Sequence, residues 1–340
     1  MLVRLTLATA IALMLYGTAA SAVPARVTPN DTSGEGPASS LSVMSYNVEG
    51  LPEPARFGRT GPLSDIGKRL ADLRSVRRAP NVVLLQEAFA SSAKRIGVEG
   101  GYRYVAKGPS ARSVNVAPPP FGARAFVAGA SHLKGEADGK WVGSGLRILS
   151  DYPIVGVQQL AFPQWACAGY DCLANKGALI AWIAVPGSPR PVAFIDTHLN
   201  SRAASGVSKA RADDAYAYQI AALRKFINRN VPSDAAAFLG GDFNSGKAAT
   251  RWADLRGGLL SGGRNSLLVA EAERTAIPQN VRSDTQAILG RAKDWLYYRG
   301  NSLSHITLTG FDVPFGEDLR AMFSDHMGYE AHYKLRADVS

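Results

Sequence analysis

The sequence predicts a globular domain of the mixed α/β or α+β class. Uninterrupted apolar runs at 82–85 and 235–239 are typical of strands covered on both faces, whereas residues 207–228 carry apolar side chains at helical spacing. With 46% hydrophobic and 9% aromatic residues in 340, the chain can bury a substantial core. No internal repeat or heptad pattern runs through it, so a solenoid or coiled coil is not expected.

Residues 1–22 are predicted to be a secretory signal peptide. Arg4 precedes an apolar run at 5–16, and the small residues Ala-Ser-Ala close the segment at 20–22. The run is shorter than the roughly 20 residues that span a bilayer. Residues 23–40, rich in Pro, Gly, Ser and Thr, are predicted to be a flexible linker, and 41–340 a single domain. We therefore expect a secreted or periplasmic monomer.

The domain is predicted to begin with a strand, a helix and a second strand. Residues 41–48 alternate apolar and polar side chains before a turn-prone Glu-Gly-Leu-Pro, as in a strand. Helical spacing follows at 63–76, with Ser64 as the expected N-cap. The buried strand at 82–85 ends in Gln86 and Glu87. Since a carboxylate at the end of a buried strand is costly unless it is paired or bound to a cation, Glu87 is a candidate ligand.

The rest of the domain is predicted to be rich in strands. Residues 100–141, which include three consecutive prolines, predict short strands joined by long exposed loops. The longest helix is expected at 207–228, where basic residues near the end suit the helix dipole. Further strands are expected at short apolar or alternating runs: 145–150, 152–155, 177–185, 192–197, 235–239, 295–298, 303–308 and 328–335.

The only two cysteines, Cys167 and Cys172, are separated by four residues. An oxidising compartment allows them to form a disulfide. A loop this short would gain roughly 2 kcal/mol and mainly fix local shape. Zinc binding is the alternative, but two thiols without further Cys or His ligands nearby make a poor zinc site.

The formal net charge of +10 favours anionic partners. Nucleic acid and a phospholipid surface both meet that description. Most lysines and arginines are scattered singly along the chain, so a generally basic, solvated surface explains the charge as well as a dedicated nucleic-acid groove does.

Six predicted strand ends carry polar residues of catalytic type. Each alone has an ordinary explanation as a turn or cap, but buried strands rarely all end in the same small set of residue types. Asn, Asp and Glu oxygens suit Mg²⁺ or Mn²⁺ rather than zinc, and histidines supply proton transfer and oxyanion binding. The set therefore indicates metal-assisted hydrolysis at phosphorus: Asn47; Glu87; His198 with Asn200; Asp242 with Asn244; Asp294; Asp325 with His326.

In this order the motifs resemble the endonuclease/exonuclease/phosphatase superfamily, the DNase I-like fold, over residues 41–335. The resemblance implies a four-layer sandwich in which two mainly antiparallel β-sheets are flanked by helices, with the active site along one edge. The segments that carry it are Tyr46-Asn47, Gln86-Glu87, Thr197-His198-Leu199-Asn200, Gly241-Asp242-Phe243-Asn244, Asp294-Trp295-Leu296 and Ser324-Asp325-His326.

The resemblance also implies a role for each residue. Glu87 would bind Mg²⁺, or Mn²⁺, with Asn47 and Asp325 in or next to its coordination shell. His326, oriented by Asp294 or Asp325, would act as general base and Asp242 would position the attacking water. The resemblance does not decide between Asp242 and His326 as the base. The phosphate would be gripped by His198 and Asn244, with Asn200 as a further substrate-binding residue. The family's nucleases carry a carboxylate and a basic or aromatic residue for which residues 102–124 offer no clear match.

Three segments are most similar to the bacterial sphingomyelinase branch: 47–52, 145–150 and 171–177. This branch implies a secreted phosphodiesterase that converts sphingomyelin to ceramide and phosphocholine at a membrane surface. Residues 118–121 and 162–165 are candidates for apolar tips that enter a lipid interface, or else ordinary core and loop. Alternatives are a DNase I-like endonuclease acting on nucleic acid and a phosphoinositide phosphatase. An inactive binding protein is disfavoured because all six motifs are present.

Overall fold

A computed structural model of the protein describes residues 39–256, 258–273 and 277–337. It contains twelve strands within those ranges: β1 Ser39–Asn47, β2 Val82–Gln86, β3 Tyr104–Lys107, β4 Arg147–Ser150, β5 Ile154–Ala161, β6 Gly177–Ile183, β7 Val192–His198, β8 Ala237–Asp242, β9 Arg264–Asn265, β10 Asp294–Arg299, β11 Ser304–Phe315 and β12 Gly328–Ala337.

Eight α-helices lie between the strands in the same described ranges. They are α1 Thr60–Ser75, α2 Ser91–Glu99, α3 Arg124–Ala128, α4 Lys209–Asn230, α5 Ala249–Leu255, α6 Ser266–Glu273, α7 Arg282–Arg291 and α8 Glu317–Phe323. Four short 3₁₀ helices join them: Phe121–Ala123, His132–Lys134, Gly169–Leu173 and Gln279–Val281.

The strands form two six-stranded sheets, in the orders β11-β12-β1-β2-β4-β3 and β5-β6-β7-β8-β10-β9. One neighbouring pair in each sheet is parallel, β1 with β2 and β7 with β8, and the other pairs are antiparallel. The predicted mixed class and the two mainly antiparallel sheets flanked by helices are confirmed.

The core lies between the sheets, and a second apolar layer lies under the helices. Val43, Val82 and Leu84 belong to the central cluster with Ile195 and Leu239 of the other sheet. Their neighbours along the same strands, which point to the opposite face, pack against the buried side of α1 and α2: Met44, Val83 and Leu85 with Leu63, Ile66, Leu70 and Ile96. This alternation is why β2 is buried along its whole length.

The parallel pairs bring the candidate residues to one edge. The carboxyl ends of β1 and β2 lie at one edge of the first sheet and those of β7 and β8 at one edge of the second. The two edges coincide, because Asn47 at the end of β1 bonds to Asp242 at the end of β8. The strands β10 and β12 run antiparallel to β8 and β1, so their first residues start at that edge. Asp294 pairs directly with Asp242, and His198 with Asp242.

The predicted helices and strands differ from the structure in several places. The helix predicted at 63–76 begins at Thr60, so Ser64 is not its N-cap; Arg59 is. Proline 62 lies in the first turn, where its missing N–H needs no partner, and so does not delay the helix. The 100–141 segment has one strand, β3, and three short helices instead of several strands. Of the two segments that were candidates for apolar tips or for core and loop, Phe162 is buried and Phe121 is exposed.

The strand β1 begins at Ser39, so the last two residues of the predicted linker pair with β12 in the first sheet. The rest of the linker and the predicted signal peptide lie outside the described residues. Among the residues described, no helix combines the length and apolar character needed to cross a bilayer.

Candidate active site

The carboxylate of Asp242 lies at the centre of the strand-end residues. Its Oδ2 is 3.1 Å from Asn47 Nδ2, 3.6 Å from His198 Nε2 and 3.7 Å from His326 Nε2. The side chain is 2% exposed. Two strands of one sheet, one strand of the other and the loop before β12 therefore converge on a single carboxylate.

Close backbone packing puts Asp242 there. The preceding residue, Gly241, has φ of +142°, and a Cβ at this position would lie 2.0 Å from the carbonyl oxygen of Thr197. Only glycine fits such an approach between β7 and β8. The Gly-Gly-Asp sequence is thus what allows the two parallel strands to present His198 and Asp242 side by side.

Glu87 follows β2 with a left-handed backbone, φ +57°, which is unusual for a residue with a side chain. Its Oε1 accepts a hydrogen bond of 2.9 Å from Asn47 Nδ2 and lies 3.9 Å from His198 Nε2. Burial raises the pKa of Glu87 to about 7, despite the hydrogen bond from Asn47 and the nearby positive charge. An ionised Glu87 therefore calls for further positive charge in the site.

Asn47 joins the carboxylates at the end of β1. Its Nδ2 donates to both Glu87 and Asp242, and its Oδ1 accepts from the main-chain N–H of Glu49 at 3.0 Å. The residue is fully buried. Its carboxamide thus fixes the relative positions of two acidic side chains that would otherwise repel each other.

His326 forms a buried pair with Asp294. Its Nδ1 lies 2.8 Å from Asp294 Oδ2 and 3.0 Å from Oδ1, which leaves Nε2 directed towards Asp242. Burial alone would lower the pKa of His326, but the charges of Asp294 and Asp242 raise it to about 9. The imidazole therefore carries a proton at neutral pH in the absence of a bound cation.

The Ser-Asp-His segment is held at the end of β1. Ser324 Oγ donates to the carbonyl of Asn47 at 2.7 Å and accepts from the N–H of His326 at 3.1 Å. The main-chain N–H of Asp325 donates to Glu49 Oε2 at 3.2 Å. Ser324 is therefore the residue that ties the loop before β12 to the first catalytic strand.

His198 has a different partner, Lys176. Lys176 Nζ lies 3.1 Å from His198 Nε2, 2.9 Å from Asp171 Oδ2 and 3.0 Å from the carbonyl of Leu199. A lysine ammonium only donates, so Nε2 accepts and the imidazole proton sits on Nδ1. Burial and the charge of Lys176 lower the pKa of His198 well below its usual value, which keeps this histidine neutral.

Not all predicted residues join the cluster. Asn200 is buried, with Oδ1 accepting from the N–H of Ala168 and Nδ2 donating to the carbonyl of Ser201. Asp325 is 59% exposed at its side chain and 3.9 Å from His326 Nε2, and it belongs to neither group of candidate metal ligands. Asn244 is adjacent: its N–H donates to Asp242 Oδ1 at 2.9 Å and its Nδ2 to the carbonyl of Leu199 at 3.1 Å.

The buried ion pair of Asp171 and Lys176 is absent from the sequence-based list of site residues. Both lie in the 171–177 segment. The feature of the sequence that could have identified them is a lysine immediately before a buried strand. The predicted disulfide between Cys167 and Cys172 is confirmed, next to Asp171. Asp171 also accepts from the N–H of Ser201 at 2.5 Å, so the cross-linked loop sets the position of Lys176 against His198.

Two sets of three side chains have donor atoms close enough to hold one cation. They are Glu87, His198 and Asp242, and Asp242, Asp294 and His326, with the donor atoms of each set within 4.8 Å of one another. Carboxylate oxygens dominate, and these are ligands of hard divalent cations. Together with the raised pKa of Glu87, the donor set fits such an ion.

A sequence model described as the Endonuclease/Exonuclease/phosphatase family matches residues 44–326. The match runs from β1 to His326 and so includes every strand end of the cluster. No curated protein matches the chain significantly.

Several solved structures share the fold. SmcL is 20% identical with a TM-score of 0.52, covering 88% of this chain and 99% of its own. Sphingomyelinase C from Streptomyces griseocarneus is 19% identical, with a TM-score of 0.51 and coverage of 88% and 100%. D. rerio TDP2, complexed with a single-strand DNA product, is 16% identical, with a TM-score of 0.53 and coverage of 87% and 99%. At these identities the likeness establishes the fold alone.

Proposed function

The chain belongs to the endonuclease/exonuclease/phosphatase family, and we propose that it is a secreted, Mg²⁺-dependent phosphodiesterase that hydrolyses sphingomyelin to ceramide and phosphocholine. The family and the site support a hydrolase that acts on phosphoesters. The observation that carries the proposal is the position of Asp242, whose Oδ2 lies 3.6 Å from His198 Nε2 and 3.7 Å from His326 Nε2, with both histidines buried.

The two histidines suit two different tasks. The resemblance implies a general base at His326, but its carboxylate partners keep the imidazole protonated, so we propose that it gives a proton to the leaving oxygen. His198 stays neutral, and the positive charge beside it, on Lys176, would attract a phosphate oxygen. Asp242 accepts hydrogen bonds from Asn47 and Asn244 and is left as the carboxylate that orients the attacking water.

Glu87 would hold Mg²⁺, with Asp242 next to it. Asn47 would join them through its Oδ1, the atom that accepts from the N–H of Glu49 in this structure. When bound, a divalent cation neutralises charge on the phosphate and lowers the pKa of a bound water. The sequence-based assignment of Asp325 to the same shell stays a prediction. Its side chain is 59% exposed, unlike those of Glu87 and Asp242.

Exposed apolar side chains on loops bonded to the Lys176 loop support a lipid surface as the substrate's location. Val116, Phe121 and Leu133 are 83%, 82% and 91% exposed. Their loops bond to the loop that carries Lys176. Trp165 Nε1, in the Lys176 loop, donates to the carbonyl of Ala117 at 2.8 Å, and the N–H of Trp141 donates to the carbonyl of Leu173, also in the Lys176 loop, at 2.7 Å. The stretch 103–143 contains basic residues in excess over Glu136 and Asp138: Arg103, Lys107, Arg112, Arg124, Lys134 and Lys140.

The variant Phe121→Asp/Leu133→Asp should therefore lose at least about tenfold in hydrolysis of sphingomyelin vesicles, because carboxylates replace two apolar contacts with the bilayer. Hydrolysis of the soluble ester bis(4-nitrophenyl) phosphate should fall far less. Val98→Asp, on α2 and 76% exposed, is the matched control and should not alter vesicle hydrolysis. An equal loss on both substrates would contradict a lipid-contacting role.

A secreted nuclease is the alternative, favoured by the net charge of +10. Incubating the protein with sphingomyelin vesicles and with plasmid DNA, each in Mg²⁺ and in EDTA, separates the two. We expect phosphocholine release from the vesicles and intact plasmid. Plasmid cleavage without phosphocholine release would assign the nuclease activity instead.

A further inference from the structure

Arg251 of α5 is completely buried and lies beneath the catalytic edge. Its Nη1 donates to the main-chain carbonyls of Asn200 and Asn244, both at 2.7 Å, and its Nη2 to that of Ala212 at 3.2 Å. Asn200 and Asn244 each lie two residues after the end of β7 and β8, the strands of His198 and Asp242, at the start of the loops that follow. One side chain therefore joins the two loops from which these groups extend.

The guanidinium is anchored on its other side by α4. Arg251 Nε donates to Asp213 Oδ1 at 2.8 Å, and its plane lies over the ring of Tyr216 at 4.4 Å. Asp213 also pairs with Arg202 and accepts from Thr250 Oγ1 at 2.8 Å. Burial alone would raise the pKa of Asp213, but the hydrogen bonds from Arg202 and Arg251 bring it well below its usual range, so this anchor stays ionised.

The contacts of Arg251 depend on the planar, multiply donating guanidinium group of arginine. A buried charge is unfavourable unless its hydrogen-bonding capacity is met, and the bonds of Arg251 meet it in several directions at once. Lysine has three donors at a single point and could not reach Asp213 and both loop carbonyls together. Asn244 in particular has a left-handed backbone, φ +49°, whose carbonyl direction Arg251 fixes.

We propose that Arg251 is a positioning residue for phosphoester hydrolysis, holding the loops after β7 and β8 so that Asn244 and Asp242 keep their places beside His198. The proposal rests on the proposed function. Asn244 transmits the constraint, since its N–H bonds to Asp242 Oδ1 and its Nδ2 to the carbonyl of Leu199.

Arg299 provides a matched control at the opposite edge of the same sheet. It is 8% exposed and, like Arg251, donates to several main-chain carbonyls, here those of Pro232, Ala235 and Ser261. It ends β10 and pairs with Ala237 at the start of β8, whereas Asp294 and Asp242 pair at the catalytic end. A purely structural role for buried arginines would make the two sites equivalent.

The test compares Arg251→Lys with Arg299→Lys. For each we would measure kcat and KM with bis(4-nitrophenyl) phosphate, global unfolding in urea, and hydrogen exchange of segments 199–206 and 242–248. Arg251→Lys should lower kcat by about 10- to 100-fold with a smaller change in KM, and raise exchange in both segments. Arg299→Lys should leave kcat within about threefold even if it destabilises the fold as much.

An unchanged kcat in Arg251→Lys, or an equal loss in Arg299→Lys, would overturn the proposal. If the wild type hydrolyses no phosphodiester, the proposed function fails, while hydrogen exchange still decides whether Arg251 holds the loops: unchanged exchange in 199–206 and 242–248 would contradict it. If Arg251→Lys does not fold, Asp213→Asn is judged by the same criteria, since it removes the charge that anchors Arg251.

Discussion

Replacing His326 with glutamine should lower kcat by about 10²- to 10⁴-fold, the range typical of a lost general acid or base. Glutamine can keep a hydrogen bond to Asp294 but has no proton to give at neutral pH. The expected loss corresponds to about 3–5 kcal/mol of transition-state stabilisation. Initial rates with bis(4-nitrophenyl) phosphate and with sphingomyelin vesicles would measure it, with circular dichroism to verify the fold.

His332→Gln is the control for this experiment. His332 also lies on β12, but its side chain is 43% exposed and neighbours Glu330 rather than the acidic cluster. Its activity should match the wild type. If His326→Gln retains a third or more of the wild-type kcat, His326 is not the general acid or base of the reaction.

Replacing Glu87 with glutamine should strongly increase the Mg²⁺ concentration that the enzyme requires. The change removes one negative charge while keeping the size of the side chain, so the Mg²⁺ concentration for half-maximal rate should rise at least about 10- to 100-fold. Because burial raises the pKa of Glu87 to about 7, ionised Glu87 opposes folding without a cation. The free energy of unfolding measured in EDTA above pH 7 should therefore be unchanged or higher in Glu87→Gln.

Glu330→Gln is the matched control. Glu330 is buried in the same sheet, and burial raises its pKa to about 8, but it lies in mid-strand opposite Met44. Its Mg²⁺ dependence should equal that of the wild type. If Glu87→Gln also shows the wild-type Mg²⁺ dependence, Glu87 is not a ligand.

The order of elements and most of the site were predictable because polar residues of catalytic type stand directly at the ends of recognisable strands. Asn47 and Asp242 end strands and Glu87 directly follows one, and each strand is marked in the sequence by alternation or by an apolar run. Parallel pairing then collects the three residues at one edge. Asp325 and His326, just before β12, could be assigned to the site only because these other strand-end residues were present.

The contacts between distant loops were not predictable in this way. Lys176 meets His198, and Arg251 reaches Asn200, only because separate connections fold over the same edge. Glu136 in the 129–144 loop forms a buried bidentate pair with Arg211 of α4, at 2.7 Å for both bonds, which no spacing along the chain signals. Local pattern also left open whether Phe162, an apolar residue beside a proline, faces the core or the solvent, and the structure buries it.

The most direct test of a metal-dependent phosphodiesterase is phosphocholine release from sphingomyelin vesicles, followed in Mg²⁺, after EDTA, and after Mg²⁺ is restored. We predict release in Mg²⁺, its loss in EDTA, its recovery on re-addition, and its absence throughout in His326→Gln. Hydrolysis that persists unchanged in EDTA, or that His326→Gln performs as well as the wild type, would contradict the assignment of this acidic and histidine cluster as the active site.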